Sequence, residues 1–283
     1  MPLSKSAIAS VLILFISLSS KAQDDPDTKK SYFKFSAIYL SNAVYYGRKD
    51  SLALPYIMPS ISYNDKSGFY LEASLSYLAS AGESQIDAGA ITAGYEFSSK
   101  NEKLSGSVYA SKYFTSSSSY SVHGEVKGAT GSSLNYKAGP VSIDGGADIS
   151  FANKTDVGIN LGLSHAFEFG SLAIRPSALV NAGTQNFYED YYTNRKFSAK
   201  RKRRQTNNPN AIKIIVVKKN FSVLDYELSL PVNYDKAKWG LFFTPKYSLP
   251  VNGFKYSINN GLTYRTEVLC NTLYAEVGGY IKF

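Results

Sequence analysis

The 283 residues predict an all-β fold, a transmembrane antiparallel β-barrel of about 12 strands with a cleavable signal peptide before it. Three observations carry this reading. Segments of roughly 10 to 14 residues alternate apolar and polar side chains, and strand side chains change face with a period of two. These segments are joined by turn-rich connections that are short and long by turns. After residue 22 no stretch of about 18 to 20 apolar residues remains, so a helical span is not the route through a bilayer.

Taken in order, the chain opens with Lys5 before the apolar run "AIASVLILFISL" and then "SSKAQ". Ser20 and Ala22 stand at −3 and −1 of a cut before Gln23, the layout of a secretory signal peptide over 1–22. Residues 23–30 form a short segment before the barrel, which occupies 31–283. Its expected strands are 31–44, 55–63, 68–78, 86–97, 103–114, 131–138, 141–151, 157–168, 171–184, 220–234, 239–250 and 270–283. In 68–78, Phe69, Leu71, Ala73, Leu75 and Tyr77 oppose Tyr70, Glu72, Ser74 and Ser76. In 141–151, Val141, Ile143, Ala147, Ile149 and Phe151 oppose Ser142, Asp144, Asp148 and Ser150. The last segment sets Leu273, Ala275, Val277, Gly279, Ile281 and Phe283 against Tyr274, Glu276, Gly278, Tyr280 and Lys282.

The segments exceed the usual strand length and match the roughly 9 to 11 tilted residues that cross a hydrocarbon layer. Their polar face is rich in Gly, Ser, Tyr and Asn rather than in the charges of a water-exposed sandwich. In lipid every backbone N–H and C=O needs an internal partner, so the sheet must close. Short connections are expected at 64–68, 98–103, 138–140, 169–170 and 235–238. Longer ones lie around 45–54, 79–85, 115–130, 152–156, 185–219 and 251–269. Aromatic residues at strand ends (Phe33, Phe69, Phe97, Phe167, Phe169, Tyr234, Trp239, Phe283) make a girdle at the short-turn side. Pro59, Pro176, Pro231 and Pro245 fall inside expected strands, where each removes a ladder donor, and bulges or breaks are expected there.

Charge is concentrated. The chain carries +9, and the leader takes away Lys5 and Lys21. Residues 187–220 hold ten Lys or Arg against Glu189 and Asp190, so the rest of the mature chain is close to neutral. A lone Cys270 excludes an intramolecular disulfide.

The cleavable leader, alternating strands, short-then-long connections and final "YIKF" resemble bacterial outer-membrane β-barrel proteins, porin-like and of no particular subfamily. The resemblance implies integral outer-membrane localisation, periplasmic N- and C-termini and folding by the barrel-assembly machinery, with Tyr280, Ile281 and Phe283 as the assembly signal. It implies outer-membrane lipids and lipopolysaccharide as surroundings, and neither cofactor nor metal nor specific nucleic acid.

On the polar face, Glu72, Glu96, Asp144, Asp148, Arg175, Asp225, Glu227, Lys246 and Glu276 are the expected lumen-lining charges. A four-residue turn "DKAK" pairing Tyr234 with Trp239 sets Glu227 opposite Lys246. Asp144 with Asp148 and Asp225 with Glu227 are read as ion-pairing residues rather than metal ligands, because no His or third carboxylate accompanies them. The expected function is a narrow pore for passive passage of small solutes. The alternative is a non-conducting barrel whose basic loop 185–219 meets lipopolysaccharide or other polyanions through Arg195, Lys196, Lys200, Arg201, Lys202, Arg203 and Arg204. A lipid-modifying or proteolytic barrel is the third reading. Of the two histidines, His165 adjoins Ser164 on a strand and so points to the other face, while His123 lies in the Ser-rich "SYSVHGEVKG".

Overall fold

The computed structural model describes residues 30–49, 53–80, 84–116, 119, 126–186, 215–217, 221–253, 255–258 and 263–283. The strands are β1 (Tyr32–Leu40), β2 (Tyr56–Asn64), β3 (Phe69–Leu78), β4 (Gln85–Ser98), β5 (Leu104–Thr115), β6 (Gly128–Ala138), β7 (Val141–Phe151) and β8 (Thr155–Ser164). They continue as β9 (Phe167–Phe169), β10 (Leu172–Ile174), β11 (Ser177–Gly183), β12 (Ile215–Val217), β13 (Ser222–Ser229), β14 (Val232–Asp235) and β15 (Trp239–Pro250). The last are β16 (Lys255–Ile258), β17 (Thr263–Thr266) and β18 (Thr272–Lys282). Fifteen of them form one antiparallel sheet that closes on itself through β13 and β15. The pairs β8 with β9, β10 with β11 and β13 with β14 are halves of single wall strands, leaving twelve staves.

Two of those breaks fall at prolines. Pro176 and Pro231 interrupt the ladder, yet the register on either side is the same: Leu172↔Tyr234 and Ser177↔Ser229 belong to one alignment. The Arg175 amide still donates to the Pro231 carbonyl at 2.8 Å, and the Leu230 amide to the Pro245 carbonyl at 3.1 Å. A missing donor therefore opens the ladder locally without slipping it. Pro59 and Pro245 lie within β2 and β15.

The faces alternate as the sequence dictates. Phe69, Leu161 and Leu163 are more than half exposed on the outer wall, while Ser62, Ser164 and Ser248 are buried on the inner one. At the end where β1 begins and β18 finishes, Phe33 and Tyr63 pack at 5.1 Å, Phe69 and Tyr95 at 4.9 Å, and Tyr234 and Trp239 at 5.7 Å. These rings, with exposed Phe169 and Phe283, are an interfacial girdle. The barrel seam is β1 against β18, extended by reciprocal Phe33 and Phe283 backbone bonds of 3.2 and 2.9 Å.

Connections at this end are tight. Gly139 and Gly170 open two-residue turns with φ of +69° and +64°, a conformation that favours glycine. The opposite end carries the longer connections, except 152–154, which the sequence placed among them: Thr155 and Asp156 already belong to β8. Beyond the barrel, β12, β16 and β17 form a separate three-stranded sheet, bringing together the two longest connections.

An inner row of cross-strand partners shows the stagger that closure requires: Tyr32, Asn64, Tyr70, Gly94, Tyr109, Gly131, Asp148, Gly158, Gly183. It starts on the first residue of β1 and ends on the last of β11, climbing from the turn end to the loop end. In its middle Tyr70, Gly94, Tyr109 and Gly131 alternate, so the Tyr70 and Tyr109 rings lie against the wall over neighbours that have no side chain. A Cβ on Gly94 would meet the Tyr70 ring and one on Gly131 the Tyr109 ring.

Candidate functional site: the strapped lumen

The sequence extends the first strand to residue 44. In the structure β1 stops at Leu40, and the chain turns inward across the lumen instead of rising above it. Ser41 anchors the departure by two bonds to the Ala275 backbone, at 2.9 Å from its amide and 2.8 Å to its hydroxyl. Tyr45 and Arg48 then exchange backbone bonds of 2.8 and 2.9 Å around Tyr46 and Gly47, whose φ values are +47° and +72°. This is the geometry of a type I′ turn. At its tip the Tyr46 hydroxyl donates to Asp148 of β7 at 2.5 Å. Five staves separate β1 from β7 in either direction, so this strap spans the lumen between opposite walls.

Arg48 fixes the strap's second side. Its guanidinium donates to the carbonyls of Leu224 at 3.2 Å and Val251 at 3.1 Å and to Gln185 Oε1 at 3.3 Å. Nε lies 3.5 Å from Glu267, with both side chains almost fully buried. A buried guanidinium is tolerated only when its fork of donors is occupied, and here the strap, β13 and three connections supply the acceptors. The strap's return leg adds a small apolar cluster of Leu54, Tyr56 and Leu78, packed by Leu40, Ala43 and Met58. Beside it a cavity of about 260 Å³ runs along β2 to β5.

The interior carboxylates take mostly neutral donors. Asp144 accepts from Asn135 at 2.7 Å and Ser164 at 2.6 Å. Asp225 accepts from Asn181 at 2.9 Å and Ser248 at 2.8 Å, and Glu227 from the Tyr274 hydroxyl. The expected pairing among these acids and bases is therefore corrected: hydroxyls and amides on adjacent strands meet most of them, because Ser, Asn and Tyr occupy the neighbouring inward positions. Lys246 does form an ion pair, with Glu276 at 2.8 Å.

The expected Glu227–Lys246 opposition is also corrected. Lys236 and Trp239 close the hairpin by a 2.8 Å bond, leaving Ala237 and Lys238 as the turn, so Tyr234 faces Leu241 and Glu227 faces Ser248. The shift of two residues preserves the face and changes the partner. Glu72, Glu96, Asp148 and Glu276 likewise stand on the inner face of their strands, while Arg175 lies exposed in the break between β10 and β11. Tyr280 donates to Asp235 at 2.7 Å, and Ile281 faces outward between Phe35 and Trp239. Arg195, Lys196, Lys200, Arg201, Lys202, Arg203, Arg204 and His123 lie outside the described residues. Ser164 points inward to Asp144, whereas His165 contacts the Pro140 carbonyl and the edge of Phe167. They do not form a nucleophile and base.

Sequence reasoning missed Arg48, Asp87 and Asp156. Asp87 has 1% exposure and accepts from Tyr56 and Ser119, each at 2.6 Å, and from Gln85 at 3.2 Å. Strict alternation puts it on the outer face. A register shift at Ser76/Tyr77 turns it inward. Asp156 accepts from Thr184 at 2.6 Å and the Asn186 amide at 2.7 Å. The signal for the strap was "YYGR", in which an aromatic pair and a glycine precede a cation.

No family model matches the sequence, and no curated protein matches it. Among solved structures it is similar to the KdgM porin, at 10% identity over 89% of this chain and 99% of that one, with TM-score 0.45. It is also similar to the NanC porin, at 8% identity over 89% and 100%, TM-score 0.47. For the COG4313 outer membrane channel from Pseudomonas putida F1 the values are 10%, 93%, 100% and 0.49. By its own pairing pattern, an even ring of antiparallel strands with an apolar outside and a polar inside, the chain has the architecture of a transmembrane antiparallel β-barrel.

Proposed function

We propose that the chain is a narrow pore for passive passage of small solutes, with the strap as its constriction. The observation that supports it is the crossing itself, from Leu40 on β1 to Asp148 on β7, inside a lumen whose polar lining is spaced by glycine and serine. Barrels near eight strands are filled by side chains and those of 16 to 18 hold an aqueous channel, so a twelve-strand bore is one that a single inward loop can control. In this reading the end with short turns and both termini is periplasmic, and the strap lies toward the outer mouth.

Single-channel recording in planar bilayers tests this. Wild-type protein should give discrete small steps. Arg48→Met combined with Tyr46→Phe, which removes the strap's charged and hydroxyl anchors, should give larger or flickering ones. Deleting residues 195–204 should leave the step size unchanged. Silence from samples that keep the heat-shifted gel mobility of a folded barrel, in wild type and strap variant alike, would overturn the proposal.

A further inference from the structure

On the outer wall a row of cross-strand partners runs Phe35, Ile61, Ala73, Ile91, Lys112 across β1 to β5. Four positions are apolar and the fifth is a cation. Lys112 shares its face with exposed Val108 and Phe114, three residues from the loop end of β5. Among the described residues its ammonium has no acidic partner. Its other neighbour in the row is Gly128, which leaves the ammonium uncovered. A cation on a lipid-facing wall is costly at the bilayer midplane and tolerated near an interface, where its stem lies along apolar surface and its head reaches polar groups.

The wall beside it is dented. Pro59, Ala73 and Gly89 present little side chain, while Leu75, Ile86 and Phe114 stand around them, enclosing a groove of about 860 Å³. Groove and cation are independent features that meet at Ile91. We propose that together they form a lipid site whose occupant is the lipid A part of lipopolysaccharide, with an acyl chain in the groove and a phosphate on the Lys112 ammonium. A lysine serves phosphate as a point charge, without the fork geometry of arginine. The choice of occupant rests on the orientation given under Proposed function, which puts the loop end in the lipopolysaccharide leaflet.

Native mass spectrometry of the full chain in detergent, with lipid A, phosphatidylglycerol or phosphatidylcholine added, tests the site independently of orientation. Lipid A adducts should exceed phosphatidylcholine adducts. Lys112→Gln should reduce the lipid A adduct roughly two- to fivefold, the effect of one exposed ion pair. Gly89→Leu, which fills the groove, should reduce it with Lys112 intact. Lipid A binding unchanged in both folded variants would overturn the site. Phosphatidylglycerol held as well as lipid A, with the same dependence on Lys112, would overturn the occupant. An epitope at 152–154 that is not labelled on intact cells, alongside Lys112-dependent lipid A binding, would overturn the orientation and leave the site standing.

Discussion

Gly94→Ala tests whether the inner tyrosines lie flat against the wall. Gly94 is the cross-strand partner of both Tyr70 and Tyr109. A Cβ there would lie 2.5 Å from Cζ and Oη of Tyr70 and 2.6 Å from Cε1. Carbon contacts settle at about 3.5 to 4.0 Å, so the ring must move by roughly 1 Å or more. All three atoms belong to the far end of a side chain, so the ring swings toward the lumen axis while the backbone holds. The off-rotamer strain is about 0.5 to 1.5 kcal/mol. Against it stands a gain of roughly 0.5 to 1 kcal/mol from replacing glycine in a strand. Net stability should therefore change by less than about 1 kcal/mol, while single-channel conductance falls. In a Tyr70→Ala background the same alanine should be stabilising, because only the entropy term remains. Gly145→Ala is the control, since its nearest atom would be 3.9 Å away. Urea unfolding in vesicles and planar-bilayer recording read the two quantities. Equal effects of Gly94→Ala with and without Tyr70 would refute the reasoning.

Three further outcomes are expected. Deleting Phe283 removes its reciprocal bonds with Phe33 and an exposed girdle ring. Assembled protein in cell envelopes should fall severalfold while refolding in detergent persists, and unchanged envelope yield would count against an assembly role. Glu276→Gln leaves Lys246 without its 2.8 Å partner at a site where both side chains are less than a third exposed. Unfolding free energy should drop by about 1 to 3 kcal/mol, between the exposed and buried limits. Asp65, in the turn between β2 and β3, is held down to about 2 by the Ser67 hydroxyl first, then the Ser67 amide, Ser31 and Tyr63. Its stabilising effect is complete above the ordinary carboxylate range and lost as pH falls through about 2. A carboxyl carbon titration by NMR should show that midpoint and its rise in Ser67→Ala.

The staves were legible because a membrane barrel imposes the period of two on every segment, and the lipid face accepts little else. What eluded reading depended on parity. The Trp239 hairpin was misplaced by two residues, so Glu227 and Lys246 kept their inner face and only changed partners. The irregularity at Ser76/Tyr77 is an odd displacement, and it moved Asp87 from the expected outer face to a buried inner position. Such shifts are set by where a turn closes and where a bulge inserts a residue, which alternation does not encode. Pro176 and Pro231 were recognised as misfits, but the continuity of register across them follows from neighbouring ladders on both sides. The strap was hidden for another reason: residues 41–44 continue the strand pattern and 45–49 look like any connection until the opposite wall supplies Asp148.

The inner wall also accounts for why the strap holds where it does. Asp87, Asp144 and Asp225 take neutral hydroxyl and amide donors, so the inner wall presents a negative field, and the Arg48 guanidinium is the charge that answers it beside Asp225. In a lumen walled by low-dielectric protein and lipid that field is focused rather than screened. A cation carried by the first long connection is drawn to it, and Arg48 comes to rest against Glu267 with carbonyls filling the rest of its fork. Tyr46 contributes a second anchor of a different chemistry, a hydroxyl bond to Asp148. Both anchors lie inside the protein, with the Arg48 and Glu267 side chains almost fully buried, so ionic strength weakens neither by much. Gating of the wild-type pore should therefore change little as salt rises, and flicker that grew steeply with ionic strength would count against a strap anchored by buried Arg48.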